Sequence, residues 1–157
     1  VIVEGRSKSR KSWREKYEAV KEPRVAEDRR GRGMMLISTP GELDAIIRRV
    51  KKGNLVTVAQ IMDSLADEHG ADLTCPMTTG IFIRIVAEVA EEDLQEGKRR
   101  VTPYWRVLKA GGTLNPKYPG GTYTQAARLE EEGQTIEPGK DGKPYRVADY
   151  QRHVQRL

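Results

Sequence analysis

A chain of 157 residues, 37% hydrophobic and 32% charged, is long enough for one domain with a modest core. No apolar run approaches the roughly 18 residues of a membrane helix, and the longest apolar patch, Ile81 to Ala90, is broken by Arg84 and Glu88. One cysteine, Cys75, excludes an internal disulfide. With only His69 and His153 beside it, a Cys/His zinc site and a His-centred catalytic triad both lack parts, so no metal and no cofactor is expected. The opening stretch carries no apolar segment of signal-peptide length, and the expectation is a cytoplasmic protein without a membrane partner.

The net charge of +5 is unevenly placed. Residues 1–33 hold 11 Lys/Arg against 6 Asp/Glu, whereas the rest of the chain balances at 17 of each. A basic arm on a neutral body suits a nucleic-acid binder, because Lys and Arg neutralise phosphates and release counterions; a solvated terminus that aids solubility is the alternative. Within this arm, Ser12 to Val20 is helix-compatible, with Trp13, Tyr17 and Val20 on one face that docks on the core. Pro23 and the Arg29–Gly33 run break any longer helix, so Glu22 to Gly33 reads as a linker.

The expected folded body spans 34–136. Met34 to Ile37 suits a short strand. Thr39-Pro40-Gly41-Glu42 then opens a helix to about Val50, with threonine at the cap and proline in the first turn. Thr57 and Gln60 form a capping box for a second helix, ending at His69-Gly70, with Val58, Ile61, Met62 and Leu65 on its apolar face. Pro76 starts a third helix running to Glu92 or Glu96, whose buried side is expected to be Ile81, Ile85 and Val89 with Phe82 and Val86. Two capped helices across a short connection make a helix-turn-helix candidate, with Met77 to Glu92 as the reading helix. Val101, Tyr104 to Lys109 and Leu114 suit short strands turning at Gly111-Gly112, a wing beside that unit. Thr122-Tyr123-Thr124-Gln125 reads as another capping box, for a helix that Gly133 ends. Residues 137–157 are expected to be a Gly/Pro/Lys-rich loop and a short helix with Val147, Tyr150, Val154 and Leu157 on one stripe. The fold class is therefore mainly α with a small β-hairpin.

Three stretches carry a resemblance that covers roughly Lys51 to Gly133: GNLVTVAQIMDSLA at Gly53–Ala66, PYWRV at Pro103–Val107, and GGTLNPKYPGG followed by the helix ending in EEEG. In this order they resemble the DNA-binding domain of the methylguanine-DNA methyltransferases and their non-enzymatic relatives, the alkyltransferase-like proteins. The resemblance implies a winged helix-turn-helix domain that binds DNA. Where the methyltransferases carry the alkyl-accepting cysteine and its activating histidine, this chain has Tyr104 and Trp105. A phenol without an imidazole is a poor nucleophile at neutral pH and an indole N–H only donates, so alkyl transfer is not expected. Other departures bear on base flipping: the family's helix tyrosine aligns with Val58, its arginine finger near Gly80, and its hinge asparagine near Glu96. Arg84 lies one turn beyond Gly80.

These positions define the expected site. Tyr104 and Trp105 are the base-pocket pair, the alternative being aromatics that pack a wing onto the core; an alternating strand sends one to each face. Thr78, Thr79, Gly80 and Arg84 belong to the recognition helix, whose N-terminal amides favour phosphate. Thr57, Lys98, Arg99, Arg100, Lys109 and Lys117 are the expected phosphate contacts. The expected function is non-catalytic binding of duplex DNA with recognition of alkylated or distorted bases, in association with repair-pathway proteins. The alternative is binding of structured RNA or a ribonucleoprotein such as the ribosome.

Overall fold

The computed structural model describes residues 10–157, and the first nine residues of the expected basic arm lie outside the described residues. Among the described residues the chain is an α/β protein with five α-helices and three small sheets. Helix α1 (Trp13–Ala19) is capped by Ser12, whose hydroxyl accepts from the Glu15 amide. Trp13, Tyr17 and Val20 pack against the main core, as the face spacing predicts, and the Tyr17 hydroxyl donates to Asp44 at 2.7 Å.

The expected linker instead contains strand β1 (Arg24–Glu27), antiparallel to β2 (Met34–Ile37). Asp28 makes this turn: its carbonyl accepts from the Gly31 amide, its carboxylate from the Arg32 amide and guanidinium, and its own amide donates to Gly33. A Gly/Arg-rich run thus reads as a breaker but serves as a hairpin loop.

Helix α2 (Pro40–Ile47) starts where its cap predicts, at Thr39. The two-residue strand β3 (Val56–Thr57) leads straight into α3 (Val58–Glu68), and the Thr57–Gln60 capping box forms in both directions. The connection from α3 carries β4 (Leu73–Thr74), parallel to β2, before the 20-residue helix α4 (Pro76–Gln95). Phe82, Ile83, Ile85, Val86, Ala87 and Ala90 are buried along α4. Ile81 is not: it is 53% exposed, the reverse of its expected place. Its i+4 partner Ile85 lies on the core, but α4 is apolar over more of its circumference than the core covers.

Beyond α4 the structure departs further from expectation. Tyr104–Arg106 is a 3₁₀ turn, not a strand. Pro103, at φ −78° and ψ 62°, is the centre of an inverse γ-turn in which the Tyr104 amide donates to Thr102, and this bend stops extended pairing. Strand β5 (Val107–Leu108) then pairs in parallel with β3, and the Val107 carbonyl accepts from the Tyr118 hydroxyl and the Gln125 side-chain amide where a hairpin partner would have bonded. What remains of the expected hairpin is a tight turn closed by one bridge, Lys109 to Thr113. Gly112 is needed in it, since at φ +76° a Cβ would sit 2.4 Å from the Tyr150 ring.

Helix α5 (Gly121–Glu131) is capped by Gly120 in the left-handed region, and the expected Thr122–Gln125 box does not form. Gln125 is buried instead, accepting from the Asn115 amide and donating to the Trp105 and Val107 carbonyls. The expected C-terminal loop contains the hairpin β6 (Ile136–Pro138) and β7 (Pro144–Val147). Val147 lies in that strand and Val154 bridges to Leu55, so the proposed single helical stripe is absent; a 3₁₀ turn at Tyr150–His153 takes its place. A main core centred on α2, α3 and α4 and a smaller one around Leu55, Leu108, Leu114 and Leu129 together bury the apolar residues.

Candidate nucleic-acid interface

The first half of α4 carries apolar side chains on both of its faces. Met77 is 73% exposed, and with Ile81 it forms an i, i+4 pair facing away from the core. These two, with Val58 and Met62 of α3, floor an open groove of about 1030 Å³. Its charged lining is entirely cationic: Lys11 and Lys16 from the N-terminal segment, Arg84 from α4, and Lys109 and Lys117 from the turn after β5. Trp13 also lines the groove, with the Lys16 ammonium 4.3 Å and the Arg84 guanidinium 5.3 Å from its ring centre. Arg84 has one distant carboxylate, Glu88 at 4.0 Å; among the described residues the four lysines have none within salt-bridge distance.

The expected site residues divide by position. Gly80, Arg84, Lys109 and Lys117 come together in the groove. Thr78 is half-buried and Thr79 buried, and both hydroxyls donate to the Cys75 carbonyl, at 3.4 and 2.7 Å. Thr57 uses its hydroxyl and amide in the α3 cap. Lys98, Arg99 and Arg100 follow the far end of α4, and a rise of 1.5 Å per residue puts them about 30 Å from Met77. Lys98 there pairs with Asp93 at 3.0 Å.

Tyr104 and Trp105, the expected base-pocket pair, do not line the groove. Tyr104 has no exposed surface, meets Tyr118 and Trp105 edge-on at 5.0 and 5.3 Å, and donates to Glu91 at 2.6 Å. Burial, reinforced by the Glu91 carboxylate, pushes its phenol well above the usual range. Glu91 also accepts from Arg128 at 2.5 Å. Trp105 is half-buried and donates its indole N–H to Glu132, which pairs with Arg106 at 2.5 Å. Arg106 also donates to the Val50 carbonyl, at 2.6 Å, which ties the turn to the end of the α2 region. The physical reason is the bend at Pro103, which turns Tyr104 inward where an extended strand would have alternated the two rings.

Cys75, at the start of α4, is buried. Burial opposes its ionisation, but hydrogen bonds from the Thr78 hydroxyl and the Thr78 and Met77 amides outweigh it and draw the thiol below its ordinary value. Among the described residues no group of His, Cys, Asp and Glu is arranged to hold a metal ion, and no helix is long and apolar enough to cross a membrane.

Sequence reasoning missed the contribution of Lys11, Trp13 and Lys16 to the groove, and the exposure of Met77 and Ile81. One signal was available: the first two turns of α4 hold more apolar residues, Met77, Ile81, Phe82 and Ile83, than one buried stripe accepts.

No protein-family model matches the chain, and neither does any curated protein. Solved structures do resemble it. S. pombe Atl1 in complex with damaged DNA containing O6-carboxymethylguanine superposes with a TM-score of 0.54 at 19% identity, over 75% of this chain and 94% of that one. S. pombe ATL in complex with DNA gives 0.53 at 20% identity with the same coverage. At this identity the likeness establishes architecture: the chain has the fold of the alkyltransferase-like proteins.

Proposed function

We propose that this chain is a non-catalytic nucleic-acid-binding protein that takes duplex DNA at the groove along the first half of α4, with a preference for alkylated or distorted bases. The observation that carries this reading is the groove itself, where five cations and no carboxylate surround an apolar floor. Cations neutralise phosphates, and exposed methionine and isoleucine side chains offer surface to bases and sugars. The fold shared with two DNA complexes, one of damaged DNA, supports the same reading. Its non-catalytic character rests on Tyr104, a buried phenol held protonated at neutral pH and hydrogen-bonded to a carboxylate.

Structured RNA is the second reading, favoured by the burial of Tyr104: a ring with no exposed surface offers nothing for a base to stack on, and recognition of backbone shape becomes the simpler use of the surface. Fluorescence anisotropy across a salt series tests both, with plain duplex DNA, the same duplex bearing one methylguanine, and an RNA hairpin. Tighter binding of the methylated duplex supports lesion recognition, equal binding of the two duplexes removes it, and preference for the hairpin favours the second reading.

A further inference from the structure

The N-terminal segment supplies a wall of the groove from outside the stretch Lys51 to Gly133 that carries the sequence resemblance, and its charges are sorted by direction. Arg14 points away from the groove and is paired with Asp93. Glu15 faces back to Ser12 at the helix cap, and Glu18 lines a separate small polar cleft. Lys11 and Lys16 line the groove, with no carboxylate within salt-bridge distance among the described residues. Lys16 is drawn over the Trp13 ring beside Arg84, so one indole holds two cations near each other at the groove's edge. Gathering like charges with a single carboxylate nearby, Glu88 at 4.0 Å from Arg84, opposes folding slightly, and an arriving polyanion removes that cost.

We infer that Lys11 and Lys16 are phosphate-binding residues of the groove, so that a nucleic-acid strand is gripped between the N-terminal segment and the Lys109–Lys117 turn, across Met77 and Ile81. The ligand class is a phosphodiester backbone, and the inference rests on the nucleic-acid reading proposed above. The apolar floor of Met77, Ile81, Val58 and Met62 argues for a strand with sugars and bases laid on it over a small free anion, which has no use for it.

The test compares three double variants with the wild-type chain, each binding a plain DNA duplex over a salt series: Lys11→Gln/Lys16→Gln, Lys109→Gln/Lys117→Gln, and Lys140→Gln/Lys143→Gln. The last changes exposed residues of the β6–β7 hairpin loop, which do not line the groove. Five of the six lysines are exposed and Lys16 is half-buried beside Trp13, and circular dichroism checks that the fold is kept. If the N-terminal lysines bind phosphate, the slope of log K against log salt becomes shallower by about 1.8 in the first variant, since each duplex phosphate contact contributes about 0.9. The second variant gives a similar change and the third none. A first variant that matches wild type while the second loses slope overturns this inference and leaves the proposed function standing. Equal losses in the first and third also overturn it, because they show general attraction in place of a site. A wild-type chain that does not bind the duplex overturns both.

Discussion

Two tryptophans on this fold each lie beside two cations, and the surroundings separate them. At Trp105, the Arg106 and Arg128 guanidinium carbons are 5.7 and 5.2 Å from the ring centre, and both cations are answered by carboxylates, Glu132 and Glu91. At Trp13, Lys16 and Arg84 take comparable positions, but the groove they border has no carboxylate in its lining. The first cluster is electrically closed and packed by Tyr104 and Tyr118; the second is open, with Glu88 at 4.0 Å from Arg84 as its one carboxylate and none within salt-bridge distance of Lys16 among the described residues. An aromatic residue flanked by arginines is therefore not a binding site in itself. Whether its cations have partners decides between cement and contact surface.

The largest expected effect breaks the closed cluster. Replacing Tyr104 by alanine removes a fully buried ring from the centre of the main core and leaves Glu91 with one partner fewer. Urea unfolding should show a loss of about 3–5 kcal/mol, as for other large buried aromatics. Tyr104→Phe keeps the packing and loses only the hydrogen bond, about 1 kcal/mol. If Tyr104→Ala costs little stability but abolishes a preference for modified DNA, the ring is a pocket wall after all.

A somewhat smaller effect follows from Glu132→Gln. The pair with Arg106 is nearly buried, 8% and 12% exposed at the side chains, so neutralising the glutamate leaves a poorly hydrated guanidinium. A loss of about 3 kcal/mol is expected. The contrasting change is Arg84→Ala in the groove, which should leave stability within about 0.5 kcal/mol of wild type. It should also make the salt dependence of duplex binding shallower by about 0.9 and weaken any preference for modified DNA. Measuring unfolding and binding on both variants separates the clusters: one should move only the first quantity, the other only the second.

The way these regions were legible in the sequence follows from the range of the forces involved. Thr39-Pro40 and the Thr57–Gln60 box placed the starts of α2 and α3 because a cap is a contact within four residues. Strands of two residues have little periodicity to read: β5 falls within the stretch Tyr104 to Lys109 that reads as strand, but β3 does not read as one, and their parallel pairing spans a chain separation of some fifty positions that no local pattern encodes. In the site, Gly80, Arg84, Lys109 and Lys117 were singled out from their motif positions and do meet in the groove. Trp13 and Lys16 reach it from about seventy residues before Arg84, which no local pattern encodes. Tyr104 was misread as part of a strand because the consequence of Pro103, a γ-turn that points the next ring inward, depends on a conformation that proline permits but does not dictate.

The smallest expected effect sharpens the same contrast between paired and unpaired charge at the N-terminal hairpin. Asp28 is held by the Arg32 side chain, and by the backbone amides of Arg32 and Arg30, which lower its carboxyl to about 2 despite partial burial. In the unfolded chain the group titrates near 3.8. Its folded value is the depressed one, so its contribution to the β1–β2 turn is complete above about pH 4 and is lost as the pH falls through about 2. A carboxyl-carbon NMR titration should therefore give an Asp28 midpoint near 2, with the Gly33-to-Asp28 turn loosening over the same interval. Arg32→Gln removes the principal cause and should move the midpoint back toward 3.8 while leaving duplex binding at the groove unchanged, because Arg32 is not part of its lining. A midpoint already near 3.8 in the wild-type chain would mean that the arginine-rich run is solvated and unpaired, the linker its composition suggests, and the hairpin would then owe its register to the β1–β2 ladder alone.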